Sequence, residues 1–109
     1  MLINEDRLQT ALTRLAETDE DHAKAKAHMK ATEERKKTVK ASLFLDTEGR
    51  GAIAQREALV ESHPEYQQWV EDYENAVYSY ELLNNQRLRE QLVIEVWRSL
   101  NSSRNRGNI

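Results

Sequence analysis

The sequence contains no cysteine, one proline, three glycines and one phenylalanine among its 109 residues. Without cysteine the chain can form neither disulfides nor thiolate metal sites, which suits a reducing cytoplasm. The scarcity of glycine and proline, with 32% charged and 39% hydrophobic residues, favours long polar-surfaced helices over a sandwich or barrel. We therefore expect an all-α protein, and the length suits a single helical domain over residues 1–109.

Long hydrophobic runs are also missing. No stretch of 18 apolar residues occurs, and the N-terminal segment MLINEDRLQT has no basic stretch followed by an apolar one. These absences predict a chain that neither spans a membrane nor carries a secretion signal. The expected location is the cytoplasm.

Sequence motifs for catalysis are absent as well. There is no Gly-rich phosphate loop, no HExxH and no nucleophile elbow. His22 ends an acidic run, but His28 lies six residues later, whereas residues on one helix face are three or four apart. His63 precedes Pro64 and fits a helix start better than a catalytic base. We therefore expect a non-enzymatic protein with no metal and no cofactor.

Two long helices are predicted from their start and stop signals. Asn4 suits an N-cap, acidic residues follow at once, and no glycine or proline occurs before Gly49, which predicts a helix over about 4–45. Pro64 suits a first helical turn and predicts a second helix over about 64–102. Between them we expect a Gly-Arg-Gly break at 49–51 and a short helix over about 52–61. The remaining segment, 103–109, is predicted to be a polar tail.

Heptad spacing predicts a seam along the first helix. Its ends are apolar and its middle is polar or small, so we expect a thin, imperfect coiled-coil seam. The assigned a and d residues are Leu8, Ala11, Leu15, Thr18, His22, Ala25, Met29, Thr32, Lys36, Val39 and Leu43.

The second helix carries the larger side chains. Aromatic and apolar residues recur at spacings of three and four, and a broader apolar set at 88–100 is expected to be the most buried part of the fold. Acidic residues at 71, 72 and 74 would repel phosphates, so packing is favoured over stacking on bases. The predicted core or oligomer residues are Tyr66, Trp69, Tyr73, Tyr80, Leu83, Leu92, Val96 and Trp97.

Together these patterns predict an antiparallel hairpin of two long helices with a short connecting helix. Each helix in such a hairpin covers only one side of the other, which leaves apolar surface exposed. We therefore expect a homo-oligomer.

Charge is strongly segregated along the chain, although the formal net charge is only −3. Segments 1–22 and 46–76 carry −4 and −6, whereas segments 23–45 and 77–109 carry +5 and +2. Such alternation serves either complementary packing or the display of a basic face to an anion, and charge alone does not choose between them.

The lysine-rich part of the first helix is the strongest candidate for a binding surface. Its cations are spread around the helix, so part of the set faces solvent and could neutralise a phosphate backbone without sequence specificity. The alternative is a solvated helix paired with the acidic segment that follows. The candidate nucleic-acid-binding residues are Lys30, Arg35, Lys36, Lys37, Lys40 and Arg50.

Three blocks of sequence carry a resemblance to a known family. They are RKKTVKASLFLDTEGRG (35–51), AIAQREALVESHPEYQQWVEDYENAV (52–77) and LREQLVIEVWRSLNSSRNR (88–106). In these blocks the chain resembles the UvsY-type recombination mediators of bacteriophages, in size, in a lysine-rich helix leading to a glycine break, and in an apolar closing helix. The resemblance covers about residues 35–106.

The resemblance implies a function. Members of that family form ring-like homo-oligomers, bind single-stranded DNA and help load a recombinase onto strands coated by single-strand-binding protein. It implies DNA contacts for Lys36, Lys37 and Lys40 and for the loop arginine Arg50, whereas Ser42 stands where a second basic residue is expected. It also implies a phage or prophage protein acting in the cytoplasm of a bacterial host cell. A structural or adaptor protein of phage assembly, working through protein contacts without DNA, is the alternative.

Overall fold

Every regular element in the computed structural model, which describes residues 3–107, is a helix. Helix α1 spans Glu5–Asp46, α2 spans Ile53–Ser62 and α3 spans Pro64–Gly107. The two long helices pack against each other and α2 lies between them in the sequence. The predicted all-α hairpin with a short connecting helix is therefore confirmed.

The two long helices begin where their capping signals predict. The Asn4 side chain accepts a hydrogen bond from the Arg7 backbone N–H at 2.8 Å, which satisfies one of the free donors at the start of α1. At the start of α3, the His63 ring nitrogen Nδ1 accepts from the Glu65 N–H at 3.1 Å. The His63 ring thus takes the place of the usual Ser or Asp cap.

The last helix extends farther than its sequence suggests. It continues to Gly107 instead of ending near residue 102, so most of the segment predicted to be a polar tail is helical. Residues 103–106 contain neither glycine nor proline, and adding a residue to an existing helix costs little compared with starting one.

The chain divides into two compact units. The terminal unit comprises Met1–Lys24 with Glu81–Ile109, and the central unit comprises Ala25–Tyr80. In the terminal unit, Ile3, Ala11 and Val93 form a small buried cluster, against which Ile94, Val96 and Trp97 pack.

The central unit has a second seam. Leu43, Val60, Trp69 and Ala76 are buried there, and Thr32 is buried beside them. The predicted heptad positions of α1 from Leu8 to Leu43 are buried or half-buried in both units, with the single exception of Lys36. The α1 seam therefore follows the heptad spacing.

The apolar segment at 88–100 is not uniformly buried. Val93 is 7% exposed, but Leu88 and Leu92 are 51% and 58% exposed within the single chain. The expectation that this segment forms the most buried part of the fold is therefore wrong for these two leucines. A helix that packs along one seam leaves its opposite side uncovered, whatever side chains stand there.

Candidate nucleic-acid interface

Three of the six candidate cations contact other parts of the central unit. Arg35 Nη2 lies 3.3 Å from Asp72 Oδ2, and Lys40 Nζ lies 4.0 Å from Glu61 Oε1. Lys36 Nζ lies over the Trp69 ring, 5.6 Å from its centroid. These three side chains therefore contribute to the packing of α1 against α2 and α3.

The other candidates are exposed. Lys30, Lys37 and Arg50 form no ion pair and no side-chain hydrogen bond with any residue in the described part of the chain, and Lys26 shares this property. Lys26, Lys30 and Lys37 are spaced by four and seven residues, so they share one face of α1. We call Lys26, Lys30 and Lys37 the lysine face.

Two acidic residues moderate the potential of the lysine face. Glu33 and Glu34 are exposed on the same helix, between Lys30 and Lys37 in the sequence. Neither forms an ion pair within residues 3–107. The face therefore offers three separated cations, an arrangement that suits contacts with successive phosphates better than tight binding of one small anion.

The aromatic residues of the second helix are built into the packing of the central unit. Trp69 is 6% exposed and its Nε1 donates a hydrogen bond to the Thr32 carbonyl at 2.7 Å. Its ring stacks on Tyr73 with centroids 5.4 Å apart, and the tilted Tyr66 ring has its centroid 5.8 Å away. Trp69 is thus not available to stack on a base. Tyr66, Tyr73 and Tyr80 are half-buried.

The glycine break has a specific backbone conformation. Gly49 and Gly51 have φ angles of +80° and +112°, which side-chain-bearing residues rarely adopt. A Cβ at Gly51 would also overlap the Gln55 side chain, whose Oε1 accepts a hydrogen bond from the Ala52 N–H at 3.2 Å. Two glycines are therefore needed to turn the chain from α1 into α2, and Arg50 lies exposed between them.

Arg56, which sequence reasoning missed, is the arginine that organises this turn. It donates to the Phe44 carbonyl at 2.9 Å and to Thr47 Oγ1 at 3.1 Å. Its guanidinium also lies over the Phe44 ring, 3.9 Å from the centroid. Helix α1 has no basic residue in its last turn, so Arg56 supplies the positive charge that its C-terminus favours.

A buried carboxylate lies in the terminal unit. Glu90 is 5% exposed and accepts hydrogen bonds from Arg7 at 2.7 and 3.0 Å and from Arg14 at 3.0 Å. Hydrogen bonding from Arg7 lowers the pKa of Glu90 from its ordinary value, burial opposes this, and Arg14 adds to the lowering. The same bond raises the pKa of Arg7. We call Arg7, Arg14 and Glu90 the Glu90 cluster.

Further polar contacts continue the seam of the terminal unit. Arg87 donates to the Leu15 carbonyl and to Thr18 Oγ1, both at 2.8 Å, and lies 3.3 Å from Asp19. Nε2 of His22 lies 3.1 Å from Asn84 Oδ1. Every buried side-chain nitrogen and oxygen in the described residues has a hydrogen-bond partner. The polar middle of the α1 seam thus meets polar residues on α3.

A sequence signal for these contacts exists. Arg87 and Glu90 continue the three-and-four spacing of Tyr73, Ala76, Tyr80 and Leu83, so they occupy seam positions although they are charged. A stripe drawn through apolar residues alone shifts toward Leu88 and Leu92 and leaves these two charged positions out.

The charge segments are combined within each unit. The central unit joins the basic segment to the acidic segment that follows it, and the terminal unit joins the acidic N-terminal segment to the basic C-terminal one. Complementary packing inside the chain therefore accounts for part of the segregation. In the described structure, Asp72, Glu61 and the aromatic rings engage the other cations of the central unit. The lysine face and Arg50 have no such partner there.

Neither a metal site nor a membrane-spanning helix occurs among the described residues. No three His, Asp or Glu side chains come close enough together to hold a metal ion there. No helix in that part of the chain combines the length and apolar character needed to cross a bilayer.

The chain has no match among protein-family models, curated proteins or solved structures.

Proposed function

We propose that this protein is a non-enzymatic accessory protein of homologous DNA recombination in a phage or prophage. In this proposal it binds single-stranded DNA as a homo-oligomer and assists the loading of a recombinase onto strands coated by single-strand-binding protein. The observation that carries the proposal is the lysine face with Arg50, whose side chains are exposed and without an ion-pair partner in the described residues. The resemblance in residues 35–106 supports the choice of DNA recombination.

The geometry revises which cations we expect to contact DNA. Arg35 and Lys40 already have carboxylate partners, so moving them to a phosphate would cost those contacts. Lys30, Lys37 and Arg50 have no such contacts to lose. They are therefore assigned the larger part of binding, with Lys26 beside them.

A titration of labelled single-stranded DNA, followed by anisotropy at rising salt, tests this proposal. Binding should be present at about 50 mM salt and should weaken steeply as salt rises, since each phosphate contact contributes a slope of about 0.7 in log–log form for single strands. Absence of binding at the lowest salt would refute the proposed function.

Two matched variants distinguish the free cations from the engaged ones. Lys30→Ala/Lys37→Ala should weaken DNA binding and reduce the salt slope by about 1.4. Arg35→Ala/Lys40→Ala removes the same charge but should mainly lower stability, because it breaks contacts inside the central unit. Arg50→Ala tests the loop arginine separately, since a residue serving only the turn would leave DNA affinity unchanged. Equal losses of affinity in the two double variants would contradict the assignment of the free set.

The second candidate function is an adaptor that works through protein contacts. The pairs Arg35–Asp72 and Lys40–Glu61 favour it over DNA binding, because they engage two of the six candidate cations inside the chain and leave fewer for phosphates. Under this alternative, DNA does not change the mass of the assembly, whereas rising salt weakens the contacts between its subunits. Light scattering with and without an oligonucleotide separates the two functions.

A further inference from the structure

The outer side of α3 in the terminal unit carries exposed leucines. Leu82, Leu88 and Leu92 are 46%, 51% and 58% exposed. Leu88 and Leu92 are one helical turn apart and share a face. Glu90 is two residues from each of them, and residues two apart on a helix point about 200° from each other. Because Glu90 is buried against α1, Leu88 and Leu92 face away from α1.

Packing within the single chain leaves these leucines uncovered. No large side chain among the described residues is fully buried, so an interface that covered the leucines would bury apolar area that the single chain leaves exposed.

We propose that Leu88 and Leu92, with Leu82 beside them, form the surface on which a second copy of this chain binds. The charges next to the leucines favour a copy of the same chain. Arg89 and Glu95 lie three residues before and after Leu92, are exposed, and have no ion-pair partner in residues 3–107. An antiparallel two-fold pairing through Leu92 brings Arg89 of one copy level with Glu95 of the other. The surface is thus self-complementary, as an isologous interface requires, whereas a face for an anionic membrane would be uniformly basic.

This inference rests on the homo-oligomer in the proposed function but not on its DNA binding. The test is the mass in solution, measured by sedimentation equilibrium over a range of concentrations. The wild-type chain should reach at least twice its 12.7 kDa mass. Leu88→Glu/Leu92→Glu should shift the midpoint of association by about tenfold or more in concentration, because burying a leucine contributes about 1.5–3 kcal/mol.

The matched control is Gln9→Glu/Thr13→Glu. These residues are exposed, four residues apart and in the same unit, but they lie on α1. The control adds the same two charges and should keep the wild-type mass. A wild type that stays monomeric, or a Leu88→Glu/Leu92→Glu variant that associates as the control does, would overturn the inference.

Cross-linking gives an independent answer if the glutamate variant loses helicity. The chain has no cysteine, so a single introduced thiol reports on its own position. Leu92→Cys should oxidise to a covalent dimer much faster than Gln9→Cys, and equal rates would overturn the inference. DNA binding is measured on the same samples. A monomeric wild type that binds DNA refutes this inference and the proposed homo-oligomer but leaves the proposed DNA binding intact, whereas a dimer that ignores DNA refutes the proposed DNA binding alone.

Discussion

Replacing Glu90 with glutamine removes the charge that two arginines share and keeps the shape of the side chain. A hydrogen bond to a charged group contributes about 1.5–3 kcal/mol, and the Glu90 carboxylate accepts three of them. The side chains of Arg7 and Arg14, however, are 31% and 60% exposed. Water therefore screens part of their attraction to Glu90 and hydrates both guanidinium groups when the carboxylate is removed. We therefore expect Glu90→Gln to lower the free energy of unfolding by about 2 kcal/mol at pH 7.

The pH dependence of this loss follows from the lowered pKa of Glu90. A carboxyl group whose pKa is lower in the folded state stabilises the fold at pH values above its unfolded pKa, which is about 4.5. That contribution is lost as the pH falls through the folded pKa. The difference in the free energy of unfolding between wild type and Glu90→Gln should therefore reach its full size at pH 7 and shrink below about pH 4.5.

The assay is urea unfolding followed by far-UV circular dichroism at several pH values. Glu74→Gln is the control, since Glu74 is an exposed glutamate on the same helix without an ion-pair partner in the described residues. Its effect should stay within about 0.5 kcal/mol. A Glu90→Gln variant as stable as the control at pH 7, or a loss of stability that persists unchanged well below pH 4.5, would contradict this role of the Glu90 carboxylate.

Two further predictions concern the turn between α1 and α2. Arg56→Ala should lower the free energy of unfolding by about 1–2 kcal/mol, because it removes two hydrogen bonds and a cation–π contact, and Arg56→Lys should recover little since an ammonium lacks the planar fork. Urea midpoints measure both, and full recovery by lysine would contradict the role given to the guanidinium. Gly49→Ala and Gly51→Ala should each lower the free energy of unfolding by at least about 1 kcal/mol, because both positions have a positive φ. The loss should be larger for Gly51→Ala, because only Gly51 lies against Gln55. Thermal unfolding in a Gln55→Ala background should narrow the difference between the two losses in stability, and an unchanged difference would count against the overlap.

The parts of the fold that could be predicted from sequence are those determined by local signals. Asn4 and Pro64 mark helix starts because capping involves residues only two or three positions apart. The α1 seam follows from heptad spacing, which is a property of one helix. The predicted end of α3 near residue 102 is too early, because serine, asparagine and arginine are tolerated in a helix. A polar composition therefore does not by itself end a helix.

The contacts that were missed depend on register between distant segments. Glu90 meets Arg7 across 83 positions in the sequence, and Arg87 meets Leu15 across 72. No local pattern identifies such partners, and a charged residue at a seam position is usually a sign that the seam lies elsewhere. For the candidate site, sequence identified the cations, but only the structure separates Lys30 and Lys37 from Arg35 and Lys40.

The placement of the two tryptophans gives each unit its own optical reporter. Trp69 is buried in the central unit, and Trp97 packs against the small core of the terminal unit. Since the chain has only these two tryptophans, replacing either one with phenylalanine leaves an indole emission that comes from a single unit. Comparing the two single-tryptophan proteins would show whether the units melt in one cooperative step or in two, without any external dye.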